Sequence, residues 1–94
     1  MASYDEAPDN RDSFEAKAKL NEIGNAVAAL LPQRFIESYR ELVAVGEGQV
    51  ALENLCSNLD DRNVPIGADL LTELRDACRR FNVAPKYWQD LNEA

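Results

Sequence analysis

The 94-residue chain contains no histidine. That absence removes imidazole general bases, nucleophile pairs built on imidazole and the usual Cys/His zinc sites. Cysteine is scarce as well: Cys56 and Cys78 are the only two, too few for a disulfide framework. Each falls on the apolar side of a predicted helix and reads as a small buried thiol, the commonest fate of a free cysteine. Glycine and proline number four apiece in a chain that is 46% hydrophobic, a composition that describes a compact fold and not a disordered one. No apolar run approaches the length needed to cross a bilayer, and the Met1 to Glu6 stretch is acidic where a signal peptide is positive. The expectation is a cytoplasmic protein with no membrane contact.

Positive charge is the other shortage. The formal net charge is −7, which sets up a field that repels phosphate backbones, and no basic stripe with interleaved aromatics opposes it. Direct nucleic-acid binding is not expected. The deficit is concentrated: from Glu41 to Asp61 there are five acids (Glu41, Glu47, Glu53, Asp60 and Asp61) and no Lys or Arg.

A chain of this length buries roughly 60 to 65% of its unfolded surface, enough for one modest core and one domain. Residues 1–11, with Asp5, Glu6, Asp9 and Pro8, read as a flexible acidic arm. Residues 12–94 read as a single α-helical domain. Asp12 followed by Glu15 has the spacing of a capping box. Leu20, Ile23, Val27, Leu30 and Leu31 then recur at helical spacing, with Glu15 and Lys19 as an i,i+4 pair, so the first helix is expected to reach about Leu31.

Pro32 ends that helix and suits the start of the next, expected over Gln33 to Val45 with Phe35, Ile36, Tyr39, Leu42 and Val43 on its apolar side. Gly46 and Gly48 bracket Glu47 and allow a tight reversal. The third helix is expected over about Gln49 to Leu59. Its apolar stripe is narrow: Leu52, Leu55, Cys56 and Leu59, with Ala51 at the edge. By the 100° rotation per residue, Gln49, Glu53, Ser57 and Asp60 lie on one flank, with Asn54 and Asp61 further round. Val50 falls among the polar positions, where it either staples the preceding turn or marks a contact surface.

Residues 62–67 read as a loop, because Val64 precedes Pro65 and Gly67 interrupts any helical run. Val64 and Ile66 are expected to plug the core. The fourth helix carries Leu70, Leu71, Leu74, Ala77, Cys78 and Phe81, with Asp69 near its start, Arg79 and Arg80 near its end and Asn82 as a stop. A short turn from Pro85 to Leu91 offers Tyr87, Trp88 and Leu91 to close the structure. No stretch alternates with period two. The fold class is therefore all-α, a compact bundle of four main helices plus a short C-terminal helix.

The sequence holds few patterns that carry chemistry. Asp60 and Asp61 are adjacent, so their carboxylates point about 100° apart and share no site. The Asp60 to Gly67 stretch has Arg62 and Pro65 where a calcium loop needs oxygen ligands and turn freedom. Gly46 and Gly48 form no phosphate-cradling pattern. No catalytic residue, metal or cofactor is expected. Arg75, Arg79 and Arg80, with Lys86 beyond, form the single basic patch. The plain reading is a helix end matched to its dipole, with Asp76 pairing Arg79 or Arg80; the sharper one is a tRNA or phosphate contact.

The acidic segment also has a plain reading, a solvated face. What favours more is the string Gly46-Glu47, Ala51-Leu52-Glu53, Leu55-Cys56 and Leu59, followed by Val64, Ile66 and a helix ending before a Trp88-containing turn. Over about residues 35 to 91 this pattern resembles the MafI family of bacterial immunity proteins. The N-terminal arm lies outside the resemblance, and Asp60-Asp61-Arg62 departs from the acid and aromatic common at that point in the family. The resemblance implies a small cytoplasmic, non-enzymatic protein that binds the cognate C-terminal toxin domain of a secreted polymorphic toxin, often a nuclease, and protects the producing cell. Nuclease sites are basic because they hold polyphosphate, so an acidic helix suits them. Glu47, Gln49, Glu53, Ser57, Asp60 and Asp61 form the candidate partner-binding set. The alternative is a small helical adaptor or regulatory subunit that binds a basic surface of a host protein; an enzyme is the weakest reading. The oligomeric state is not legible.

Overall fold

In the computed structural model, residues 14–94 are described. They form four α-helices: α1 (Phe14–Val27), α2 (Gln33–Ala44), α3 (Gly48–Asp61) and α4 (Ala68–Arg80), followed by a single 3-10 turn, Pro85–Tyr87. The fold is an all-α bundle. Asp12, and with it the capping box, lies outside the described residues, as does the acidic arm.

One continuous core holds the helices together. α1 packs against α2 and α4, while α3 packs against α2 and the 3-10 turn. The α3 stripe is buried as its periodicity requires: Ala51, Leu52, Leu55, Cys56 and Leu59 are all at 0 or 1% exposure. Those positions, with Gly48, span less than half of the helix circumference; of the others, Glu53, Ser57 and Asn58 are half-buried and Gln49, Val50, Asn54, Asp60 and Asp61 are exposed. Ile66 plugs the core completely, whereas Val64 is half-buried.

Three of the four helices end in the same way. After α2, Gly46 adopts φ 84° and the amides of Gly46 and Glu47 reach back to the carbonyls of Val43 and Leu42. After α3, Asn63 (φ 53°) and Val64 do the same to Asp60 and Leu59; after α4, Asn82 (φ 60°) and Val83 do so to Arg79 and Cys78. This is the Schellman arrangement, in which a left-handed residue lets two amides satisfy carbonyls that the last turn leaves free. Glycine and asparagine tolerate that conformation best.

The end of α1 differs from the sequence expectation. The helix stops at Val27 and residues 28–30 form a turn, with the Leu30 amide donating to the Val27 carbonyl at 2.9 Å. Leu31 is therefore buried and Leu30 is 37% exposed, so only one of the two belongs to the core. Pro32 keeps Leu31 from rejoining a helix, since it disfavours helical geometry at the residue before it. It then sits with φ −56° and ψ 146° as the residue just outside α2. The expected Glu15–Lys19 pair is also replaced, since Lys19 Nζ lies 3.4 Å from Glu73 of α4 and 3.9 Å from Glu22.

The C-terminus adds a tie that periodicity did not signal. The Ile66 amide donates to the Asn92 carbonyl and the Ala94 amide to the Ile66 carbonyl, both at 2.8 Å, forming one isolated parallel bridge between Ile66 and Glu93. Residues 92–94 thus lie along the α3–α4 loop, and Leu91 is buried beneath them. None of the described helices is long and apolar enough to cross a membrane.

Candidate acidic face on α3

The α2–α3 turn places Glu47 at the N-terminal boundary of α3. Its carbonyl accepts the Ala51 amide at 2.9 Å while its side chain caps nothing. The carboxylate is exposed and stands near the positive end of the helix dipole. Val45 and Val50 flank it, 72% and 36% exposed. The staple reading of Val50 does not hold, because the residue before the helix boundary is Gly46, which has no side chain to meet one on the first turns. Val50 instead extends a small apolar surface beside an acid.

Further along α3, Glu53 and Ser57 are half-buried while Gln49, Asp60 and Asp61 are exposed. These six residues do not form one even patch. Gln49, Glu53 and Asp60 share the edge next to Cys56, which faces α4. Asp61 lies about 100° round from Asp60. Gln49 has an internal role too: its amide Nε2 donates to the Asn82 carbonyl at 2.9 Å, tying the start of α3 to the turn after α4. Glu47, Glu53, Asp60 and Asp61 take part in no ion pair within the described residues; the three that occur there join Lys19 to Glu22, Lys19 to Glu73 and Arg79 to Asp76. The negative charge of the segment is therefore not compensated by ion pairs among the described residues.

Ser57 belongs to a second feature that the sequence reading missed. Together with Phe35, Ser38, Tyr39, Asn54, Leu55 and Asn58 it lines a groove of about 230 Å³ between α2 and α3. Its polar walls are hydroxyls and amides. Phe35 is flanked by two guanidinium groups, Arg34 at 4.6 Å and Arg62 at 5.2 Å from its ring centre. The signal for this groove was present in Asn54 and Asn58, four residues apart on α3, but only the packing of α2 shows that Ser38 stands opposite.

The basic cluster on α4 is largely occupied. Arg79 pairs with Asp76 at 3.0 Å and its guanidinium lies 5.0 Å from the Trp88 ring centre, while Arg75 donates to the Gln89 carbonyl at 3.5 Å. Arg80 borders a cleft of about 150 Å³ whose apolar side is Ala16, Leu20, Ala77 and Phe81. The plain reading of this patch, a helix end with a local ion pair, agrees with these contacts.

Beneath the acidic face lies a buried polar cluster. Cys56 and Cys78 place their sulfurs 3.6 Å apart. The hydrogen bond with Cys78, then burial, then the charges of Cys78 and Asp60 all push the Cys56 thiol well above the ordinary range. Burial, reinforced by the two thiols, likewise pushes the Tyr39 phenol up. Groups held this firmly in their neutral forms are poor nucleophiles and bases in the closed fold. Among the described residues no three His, Cys, Asp or Glu side chains are grouped to hold a metal ion. No family model matches the chain, and neither a curated protein nor a solved structure shows significant similarity to it.

Proposed function

We propose that this is a non-enzymatic immunity protein, which binds the toxin domain of a secreted polymorphic toxin in the cytoplasm of the producing cell. The observation that carries the reading is that Glu47, Glu53, Asp60 and Asp61, along α3, make no ion pair among the described residues, with the exposed Val45 and Val50 beside Glu47 at one end. Exposed ion pairs contribute little to affinity by themselves, so a tight complex needs apolar anchors. The two valines supply them next to the charge. The resemblance to the MafI family supports the same reading and names the partner class: a basic, phosphate-handling toxin domain, toward which the negative field would speed association.

The test is the Glu53→Lys, Asp60→Lys double variant. It is expected to keep its helical spectrum and cooperative unfolding while failing to protect cells that express the cognate toxin domain. Full protection by a well-folded double variant would remove the acidic face from the mechanism. The second reading, a small helical adaptor or regulatory subunit that binds a basic surface of a host protein, uses the same acids, with the Ser38, Asn54, Ser57 and Asn58 groove beside them as a further contact. A toxin gene beside this one favours immunity. The absence of such a gene, with capture of a non-toxin host protein that is lost on the double charge reversal, favours the adaptor.

A further inference from the structure

We infer that Cys56 and Cys78 form a latent disulfide site, a pair of core thiols that a small-molecule disulfide such as oxidised glutathione converts into a covalent link between α3 and α4. The two residues lie 22 positions apart in the chain and on different helices, yet their sulfurs are 3.6 Å apart in the interior. A disulfide requires a sulfur separation of about 2.05 Å. The sulfurs must approach by roughly 1.5 Å, shared between two side chains. Both are free thiols at 0% exposure. The packing already commits each to the other, since the sulfur–sulfur hydrogen bond is the leading reason that the Cys56 thiol holds its proton.

The chemistry is a two-step exchange. After local opening, the thiolate of one cysteine attacks a sulfur of the glutathione disulfide, forming a mixed disulfide and releasing one glutathione thiolate. The thiolate of the other cysteine then attacks the protein sulfur of that mixed disulfide. The Cys56–Cys78 bond forms, the mixed bond breaks, and the second glutathione leaves. Two protein thiols are oxidised, one small disulfide is reduced, and the two protons end on the released glutathione thiols.

Burial dictates how the step is controlled. No tripeptide fits beside a fully buried sulfur, so the first attack needs α3 and α4 to part. Closure then drives the second attack, because refolding returns the free thiol to its partner and expels the bulky adduct. The oxidant therefore reads the opening equilibrium of the bundle. Once made, the link restrains the segment between the two cysteines in the unfolded chain and so favours the fold, provided that the native packing accepts the bond.

The experiment equilibrates the intact protein with mixtures of reduced and oxidised glutathione, in urea below the unfolding midpoint so that opening is not limiting. Mass spectrometry and a thiol assay follow under non-reducing conditions. The expected product is a monomer lighter by two hydrogen atoms, with no glutathione attached and both thiols lost. It should yield one linked peptide containing Cys56 and Cys78, and reduction should restore the starting mass. Its Tm should rise by about 5 °C or more. Thiols that stay reduced at equilibrium, a product carrying two glutathiones, or a disulfide-linked dimer each overturn the proposal. So does a monomer disulfide whose Tm falls below that of the reduced protein, because the bond then forms only in a distorted fold.

Discussion

The Tyr39 hydroxyl donates a 2.7 Å hydrogen bond to the backbone carbonyl of Leu20 inside the core. Gly24, one turn along α1, makes room for it: a Cβ there would stand 3.0 Å from Tyr39 Cε2. A phenol is thereby buried with its one donor satisfied, and α2 is fixed in position along α1. Removing the hydroxyl in Tyr39→Phe leaves the carbonyl with less bonding and should cost about 1 kcal/mol at neutral pH.

The pH dependence of that cost carries a definite sign. The Tyr39 phenol titrates higher in the fold than in the unfolded chain, so the folded state holds the proton more tightly. Its contribution is complete below the unfolded value of about 10 and declines as pH rises beyond it, by up to about 1.4 kcal/mol per pH unit. Cys56, also raised, begins to act from about pH 8.5. Urea midpoints of wild type and Tyr39→Phe, followed from about pH 8 to pH 11, should converge above pH 10. A constant difference across that range would show that the phenol ionises freely in the fold.

Legibility followed the kind of signal involved. The α3 stripe was readable because Leu52, Leu55, Cys56 and Leu59 repeat at the helical period, and the stops at Gly46 and Asn82 because few residues accept a left-handed backbone. The end of α1 was not, since Leu30 and Leu31 both fit the period and only the turn before Pro32 decides which one is buried. Contacts between distant positions left no local trace: Lys19 meets Glu73 and not Glu15, Gln49 reaches Asn82, and residues 92–94 fold back along Ile66. Within the candidate site, exposure at Glu47, Gln49, Asp60 and Asp61 followed from helix rotation. The half-burial of Glu53 and Ser57 depended on which neighbours pack alongside.

Gly48 is a site where helix propensity and packing oppose each other. Alanine is favoured over glycine by roughly 0.5 to 1 kcal/mol within a helix, yet a Cβ on Gly48 would lie 2.5 Å from Phe81 Cε1 and 3.1 Å from Leu20 Cδ1. Phe81 is 2% exposed and has little room to retreat. Overpacking of this kind costs typically 1 to 3 kcal/mol, so Gly48→Ala should lower the urea midpoint. A midpoint equal to or above wild type would mean that the Phe81 ring rotates away without loss.

Gln49 allows folding to be separated from binding on the face proposed for partner recognition. Its side chain already bonds to the Asn82 carbonyl, at the surface, so Gln49→Ala should cost on the order of 0.5 to 1 kcal/mol in stability. At concentrations where the variant remains folded, affinity for the partner should stay within about threefold of wild type, a difference of roughly 0.6 kcal/mol. A loss approaching that of Glu53→Lys, Asp60→Lys would place Gln49 in the interface as well. Titration calorimetry beside urea unfolding distinguishes the two effects.

Asn63 allows the backbone contribution of a helix stop to be measured apart from its contacts. Its φ of 53° lies in the left-handed region, and its bonds run through the main chain: the amide donates to the Asp60 carbonyl, and the carbonyl accepts Asn92 Nδ2 at 3.4 Å. Substitution therefore changes the conformational preference and leaves the bonding groups in place. Asn63→Ala should destabilise by about 1 kcal/mol, because a Cβ without a compensating local polar group disfavours this geometry. Asn63→Gly should lie within a few tenths of a kcal/mol of wild type, since glycine adopts the conformation freely but adds entropy to the unfolded chain. If alanine and glycine had equal effects on the urea midpoint, the left-handed turn would not be what ends α3.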